Sequence, residues 1–178
     1  TETVEEGNSA TAPENPTRNN YRFTGWNTGF TNVVSDLTVK AEYIRQYKVT
    51  FLDYDETVLK EATVDAGSTA VAPSNPSKEG YTFDGWDKAF ANVTFDLTVT
   101  ATYKVKTYTV KFVMPDGTII GEVQSVEHGF SAIEPEYPEF YLDGTGDYTE
   151  VYGFTKWNKS FNSVTDDLVI EAVYEADY

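Results

Sequence analysis

The sequence predicts a mainly β protein built from tandem copies of one small unit. Three observations lead there. The aromatic hexad YRFTGW at 21–26 returns as YTFDGW at 81–86 and, more loosely, as YGFTKW at 152–157. The stretches YKVTFLD and YTVKFVM alternate apolar and polar residues, the period of a half-buried strand. Glycine, proline and asparagine fall at matching places between these runs, where turns are needed.

The repeat is anchored on Trp26, Trp86 and Trp157. Phe30, Phe90 and Phe161 follow four residues later, then the pairs Asp36-Leu37, Asp96-Leu97 and Asp167-Leu168. Tyr43, Tyr103 and Tyr174 each lie 17 residues beyond their tryptophan. Upstream, GNSATAPENPTRNNY aligns without a gap on GSTAVAPSNPSKEGY. The expected units are a partial first repeat at 1–43, a second at 47–103 and a third at 108–178 with an insertion near 138–150. The connectors IRQ and KVKT are too short for independent tumbling, so a semi-rigid array is expected.

Within a unit, Tyr47, Val49 and Phe51 share one face of the first strand, as do Tyr108, Val110 and Phe112. A turn follows, DYDET in one copy and PDGT in the other, where Asp116-Gly117 is a favoured hairpin dipeptide. The second strand runs through Leu59 to Val64 and ends where Gly7, Gly67 and Gly129 align, a backbone position that calls for φ > 0. The prolines of AVAPSNPSKEG exclude a central strand and leave room for at most a short helical turn. Asn20 and Gly80, just before the hexad, are types that tolerate the left-handed region. In the hexad strand, Trp86 joins the face of Tyr81 and Phe83 only if a bulge forms at Gly85, and Lys156 in the third copy counts against one there. The last strand places Leu97, Val99, Ala101 and Tyr103 on one side, and its counterparts alternate the same way. Each unit therefore has about four strands.

A unit this small buries only roughly 60% of its unfolded surface, so it must pack large side chains tightly. A recurring tryptophan is then first a core residue. The competing reading makes Trp26, Trp86 and Trp157 exposed platforms for sugars or peptides.

The pattern Y-x-V-x-F, then Gly67, the block PSNPSKEGYTFDGW at 73–86 and LTVTATY at 97–103 resembles the Listeria–Bacteroides repeat, also called the internalin B-repeat family. Two full copies and one partial copy cover almost the whole chain. The resemblance implies small β-grasp, ubiquitin-like units standing in tandem in exported bacterial proteins, at the cell surface or secreted. It implies a stalk or spacer, with adhesion or protein interaction as a further role, no catalytic residue and no cofactor. Expected partners are a host or cell-surface protein or a glycan; the alternative function is a carbohydrate-binding module that uses the repeated aromatics.

Composition agrees with a non-enzymatic reading. There is no cysteine and one histidine, His128, so thiol chemistry, disulfides and multi-histidine metal sites are excluded. His128 reads as a solvated loop residue. The net charge of −16 opposes nonspecific binding to nucleic acid and to anionic lipid. No apolar run approaches the roughly 18 residues of a membrane span, and no secretory signal is visible. The charge is uneven: 108–178 holds three lysines against fourteen acids, 47–103 four against nine. Asp53, Asp55 and Glu56 fall in a turn, and Asp36, Asp96 and Asp167 at a strand entry, positions that favour a structural role. Asp143, Asp147 and Glu150 offer oxygen ligands for calcium but lack the order of an EF-hand loop. The first copy begins at TETVEEG without its Y-x-V-x-F strand, as expected if a cut falls inside a longer array. The missing strand leaves a sheet edge open to self-association.

Overall fold

The computed structural model describes residues 1–136, 140–143 and 150–176. Its elements are ten strands, with no helix among the described residues: β1 (Tyr21–Trp26), β2 (Ala41–Leu52), β3 (Val58–Asp65), β4 (Tyr81–Trp86), β5 (Leu97–Val105), β6 (Thr107–Val113), β7 (Ile119–Glu127), β8 (Phe140–Asp143), β9 (Glu150–Trp157) and β10 (Leu168–Ala176). They form two mixed sheets. One runs β1-β2-β5-β4 with β3 also paired to β2, and the other runs β7-β6-β10-β9-β8. By contacts, the chain divides into Thr1–Pro76 with Gly85–Thr102, and Ser77–Asp84 with Tyr103–Tyr178.

Both sheets have the same centre. β2 pairs antiparallel with β3 and parallel with β5, Val49 opposite Leu97 and Phe51 opposite Val99. β6 pairs antiparallel with β7 and parallel with β10, Val110 opposite Leu168 and Phe112 opposite Ile170. A parallel neighbour needs a crossover, and here the proline-rich segment provides it. The apolar residues that alternate along the central strands form the two cores. Val49, Phe51 and Val99 are fully buried in one, Val110, Phe112 and Ile170 in the other.

Among the described residues the crossover contains no helical turn. Its prolines remove donors, and its free amides are used elsewhere: Gly67 N–H donates to the Val93 carbonyl (2.8 Å) and Ala70 N–H to the Phe90 carbonyl (2.9 Å), while Val93 N–H returns a bond to Ser68 (2.9 Å). The same three bonds link Gly7, Ala10 and Asn8 to 30–33, and Gly129, Ala132 and Phe130 to 161–164. The loop after each tryptophan thus holds the crossover against the sheet. Gly7, Gly67 and Gly129 have φ of 85°, 80° and 82°, and Asn20 and Gly80 lie at 62° and 74°.

The hexad strand carries its bulge in the third copy as well as the first. The register slips between Phe23 and Gly25 in β1, and across from Val173 and Tyr174 in β9. A bulge whose extra residue stays near the right-handed region does not need glycine, so Lys156 is compatible with it.

Candidate functional site

Each tryptophan turns toward its own unit's interior, Trp26 and Trp157 just beyond these bulges. Phe23 and Trp26 lie edge to face at 5.3 Å, and Phe154 and Trp157 at 5.2 Å. Trp86 meets Phe51 at 5.1 Å and Trp157 meets Phe112 at 4.8 Å, both edge to face. All three tryptophans are half-buried. The indole N–H of Trp157 donates to the Glu134 carboxylate (2.7 Å). Trp26 has no counterpart of Phe51 before it; with Ala10, Pro13, Phe30 and Val39 it borders a cavity of about 150 Å³.

Polar side chains also gather where one repeat passes into the next. β2 runs unbroken through the connector Ile44-Arg45-Gln46. Gln46 N–H donates to the Asn20 carbonyl and Ala66 N–H to the Arg45 carbonyl, each at 2.8 Å. The Arg22 guanidinium forks onto the Asp65 carboxylate, its Nε at 3.0 and 3.2 Å from the two oxygens, and the Gln46 side chain adds a bond of 3.0 Å. Arg22 first, then Gln46, hold the Asp65 carboxyl below its ordinary value. Arg18 lies 4.0 Å above the Tyr21 ring and Arg45 lies 5.2 Å from it. A hydrogen bond from Arg45, followed by the charge of Arg18, lowers the Tyr21 phenol.

A second junction repeats the scheme. Lys106 N–H donates to the Gly80 carbonyl (2.8 Å) and His128 N–H to the Lys106 carbonyl (2.9 Å). Lys78 Nζ sits 4.1 Å above the Tyr81 ring. His128 is no solvated loop residue here: its half-buried ring covers Gly80, and its Nδ1 lies 3.3 Å from the Tyr108 hydroxyl.

The acidic candidates separate by place. Asp55 and Asp116 accept the backbone N–H of Thr57 (3.0 Å) and Thr118 (2.8 Å), and hydrogen bonds from these threonines lower both carboxyls. Asp96 accepts the N–H of Lys48 (2.9 Å) and Asp167 that of Thr109 (2.8 Å). Asp143 and Glu150 are paired between β8 and β9, while Asp147 lies outside the described residues. No cluster of three metal-ligating side chains occurs among the described residues. A groove of about 700 Å³ runs beside β7, with Phe130 and Ile133 exposed along it and Glu122 and Glu136 at its border.

One recurring device has no place in the sequence reading. The residue after each tryptophan, Asn27, Asp87 or Asn158, gives its N–H to a carbonyl of the following strand segment and accepts that same residue's N–H on its side chain, at 2.6–2.9 Å. The recurring Asx after tryptophan was the available signal.

Among known families, the Listeria-Bacteroides repeat domain matches residues 1–42 and 47–106. Two proteins of Evansella cellulosilytica are similar. One, named "Putative membrane protein", is 28% identical over 153 residues, covering 78% of this chain and 23% of its own length. The other, named "Putative Gly-rich membrane protein", is 29% identical over 190 residues, covering 95% of this chain and 20% of its own. The chain spans about a fifth of the length of these curated relatives. No helix among its described residues is long and apolar enough to cross a membrane.

Proposed function

The chain belongs to the Listeria-Bacteroides repeat domain family, and from that premise we propose that it is a non-enzymatic spacer in a larger bacterial surface or secreted protein. The observation that carries this reading is the junction. The strand that closes the first repeat continues as the opening strand of the second over twelve residues, Ala41–Leu52. A connector made of ordered strand, with its peptide groups bonded to both the first and the second repeat, joins these two repeats without a hinge. The strand order β3-β2-β5-β4, with its parallel central pair, is in our reading a β-grasp-like, ubiquitin-like unit whose usual helix is replaced by the proline crossover.

The packing of Trp86 on Phe51 and of Trp157 on Phe112 supports core duty for the hexad over a carbohydrate platform. The names of the longer relatives support placement at the cell envelope. Adhesion would be a property of the surfaces this spacer presents.

The test is amide ¹⁵N relaxation on the folded chain. Ile44–Gln46 and Lys104–Thr107 are expected to match the strands, with order parameters of about 0.85. Values below about 0.6 at both connectors would make them hinges and defeat the spacer reading. A glycan panel that produces saturable shifts at the three indoles would favour the carbohydrate module instead.

A further inference from the structure

Phe130 and Ile133 are 64% and 78% exposed, so both stand outside the core of the third repeat. With Pro135 they line the groove of about 700 Å³ beside β7. The position of Phe130, just after the turn glycine, is held by Asn8 in the first repeat and Ser68 in the second; that of Ile133 is held by Thr11 and Val71. The carbonyls of Asn8, Ser68 and Phe130 accept the same backbone bond, from Val33, Val93 and Val164. The repeat's architecture therefore does not require a phenylalanine there.

The strand beside the groove has a free edge. β7 is the outermost strand of its sheet. His128 N–H donates to the Lys106 carbonyl, which fixes the residues of β7 that turn their peptide groups toward β6. Ser125 is out of that phase: its partner Thr109 gives its own N–H to Asp167 instead (2.8 Å). The N–H and carbonyl of Ser125 and the N–H of Glu127 thus point away from β6, and no described residue bonds them. Charge is the third observation. Glu122, Glu127 and Glu136 border the groove, whose lining holds no lysine or arginine. None of the three has an ionic partner among the described residues. Glu127 stands where the second repeat has Asp65, whose carboxylate is held by Arg22. The counterpart of that arginine is Thr82, whose hydroxyl donates to the Lys104 carbonyl (3.3 Å), so Glu127 stays uncompensated.

We propose that β7 and its groove dock an extended segment of a partner protein in which apolar side chains alternate with arginine or lysine. The segment adds to the free edge through Ser125 and Glu127. Its apolar side chains lie against Phe130 and Ile133, and its cations meet the glutamates. Strand addition draws affinity from the backbone and specificity from alternate side chains. A second copy of this chain is a poor occupant, since it carries −16 and pairing two β7 edges would bring both sets of glutamates together. The inference does not depend on the spacer reading.

The probe is the blocked peptide RVRVRV, titrated into the full chain at about 0.15 M salt and followed by amide and methyl NMR. Saturable shifts are expected at Glu122–Glu127 and Phe130–Ile133, with the Ser125 amide gaining protection from hydrogen exchange. The peptide EVEVEV should not bind. RSRSRS, which keeps the charge without the apolar side chains, should bind at least about tenfold more weakly. Phe130→Ser, which installs the second repeat's residue, should cost a similar factor; Ile133→Thr, the first repeat's residue, serves the same purpose if that variant does not fold. Glu127→Gln should weaken binding and lessen its salt dependence. No saturable shift up to millimolar RVRVRV would overturn the proposal. Equal binding of RSRSRS would overturn it too, leaving only diffuse charge attraction. A concentration-dependent dimer lost in Phe130→Ser, without peptide binding, would overturn it in favour of a second copy.

Discussion

Gly80 has no room for a side chain. A Cβ there would lie 2.2 Å from the His128 ring, and its φ of +74° is left-handed. The first repeat solves the same corner with Asn20 at +62°, and there the position of His128 is taken by Ala66. Small residue and large residue have exchanged sides between the two junctions. Asparagine tolerates the left-handed region, so Gly80→Asn isolates the steric conflict from backbone strain. Overpacking of this kind costs about 1–3 kcal/mol. In a His128→Ala background the penalty should fall by more than half, a coupling readable in a thermal double-mutant cycle. Equal penalties in both backgrounds would show that the two residues are not partners. Sequence reasoning could not find this pair. The lone histidine aligns with Ala66 and Glu6, and its contact is with a residue of the preceding repeat, which an alignment of repeats on one another does not bring together.

At the scale of the strand, one carboxylate marks each entry into the parallel pair. Asp96 holds the Lys48 N–H at 2.9 Å, and hydrogen bonds to charged groups contribute about 1.5–3 kcal/mol. Asp96→Ala should therefore lower stability by about 2 kcal/mol, with Asp96→Asn milder because its carbonyl oxygen still accepts. Asp36→Ala, where no strand enters, should stay within about 0.5 kcal/mol of the parent in urea melts. A loss at Asp36 as large as at Asp96 would mean the carboxylate serves something other than strand entry. These aspartates were legible as strand-entry residues because they recur before Leu37, Leu97 and Leu168. The strands themselves were legible for a similar reason: Tyr47, Val49 and Phe51 alternate, and alternation has one physical meaning on a half-buried sheet. What alternation does not reveal is partner and continuity. Nothing in Ile44-Arg45-Gln46 says that the strand passes straight through the connector, since that depends on Asn20 and Asp65, which are distant in sequence. The bulge opposite Val173 was obscured by treating glycine as its requirement, when the demand comes from the need to bury Trp157.

Charge acts on the molecule as a whole. The chain carries −16 at pH 7, with a sequence pI near 4.2, so its acidic surface repels itself at neutral pH and less so as the charge falls. A few carboxylates oppose that trend. Asp55 and Asp116 are held below their ordinary values by Thr57 and Thr118, and Asp65 by Arg22 and then Gln46. A carboxyl whose folded-state value is depressed contributes stability that is fully present above its unfolded value, about 3.9. That contribution is lost only as the pH falls through the lower folded-state value. Between pH 7 and about 5 these three aspartates therefore add a constant term, while the net repulsion diminishes. The melting temperature should rise on going from pH 7 to pH 5 and fall again below about pH 4. Raising salt from about 20 mM to about 0.5 M at pH 7 should reproduce the first change, because the Debye length falls well below the spacing of surface charges. A gain of about 1 kcal/mol would appear as roughly 4 °C. The salt response should be smaller at pH 5, where less charge remains to be screened. Replacing Arg22 by leucine should move the acid limb to higher pH, since Asp65 then loses the partner that most strongly favours its charged form. If melting at pH 7 proved indifferent to salt, self-repulsion would be too weak to matter, and the acidic surface would have to be explained by what it meets rather than by what it does to the fold.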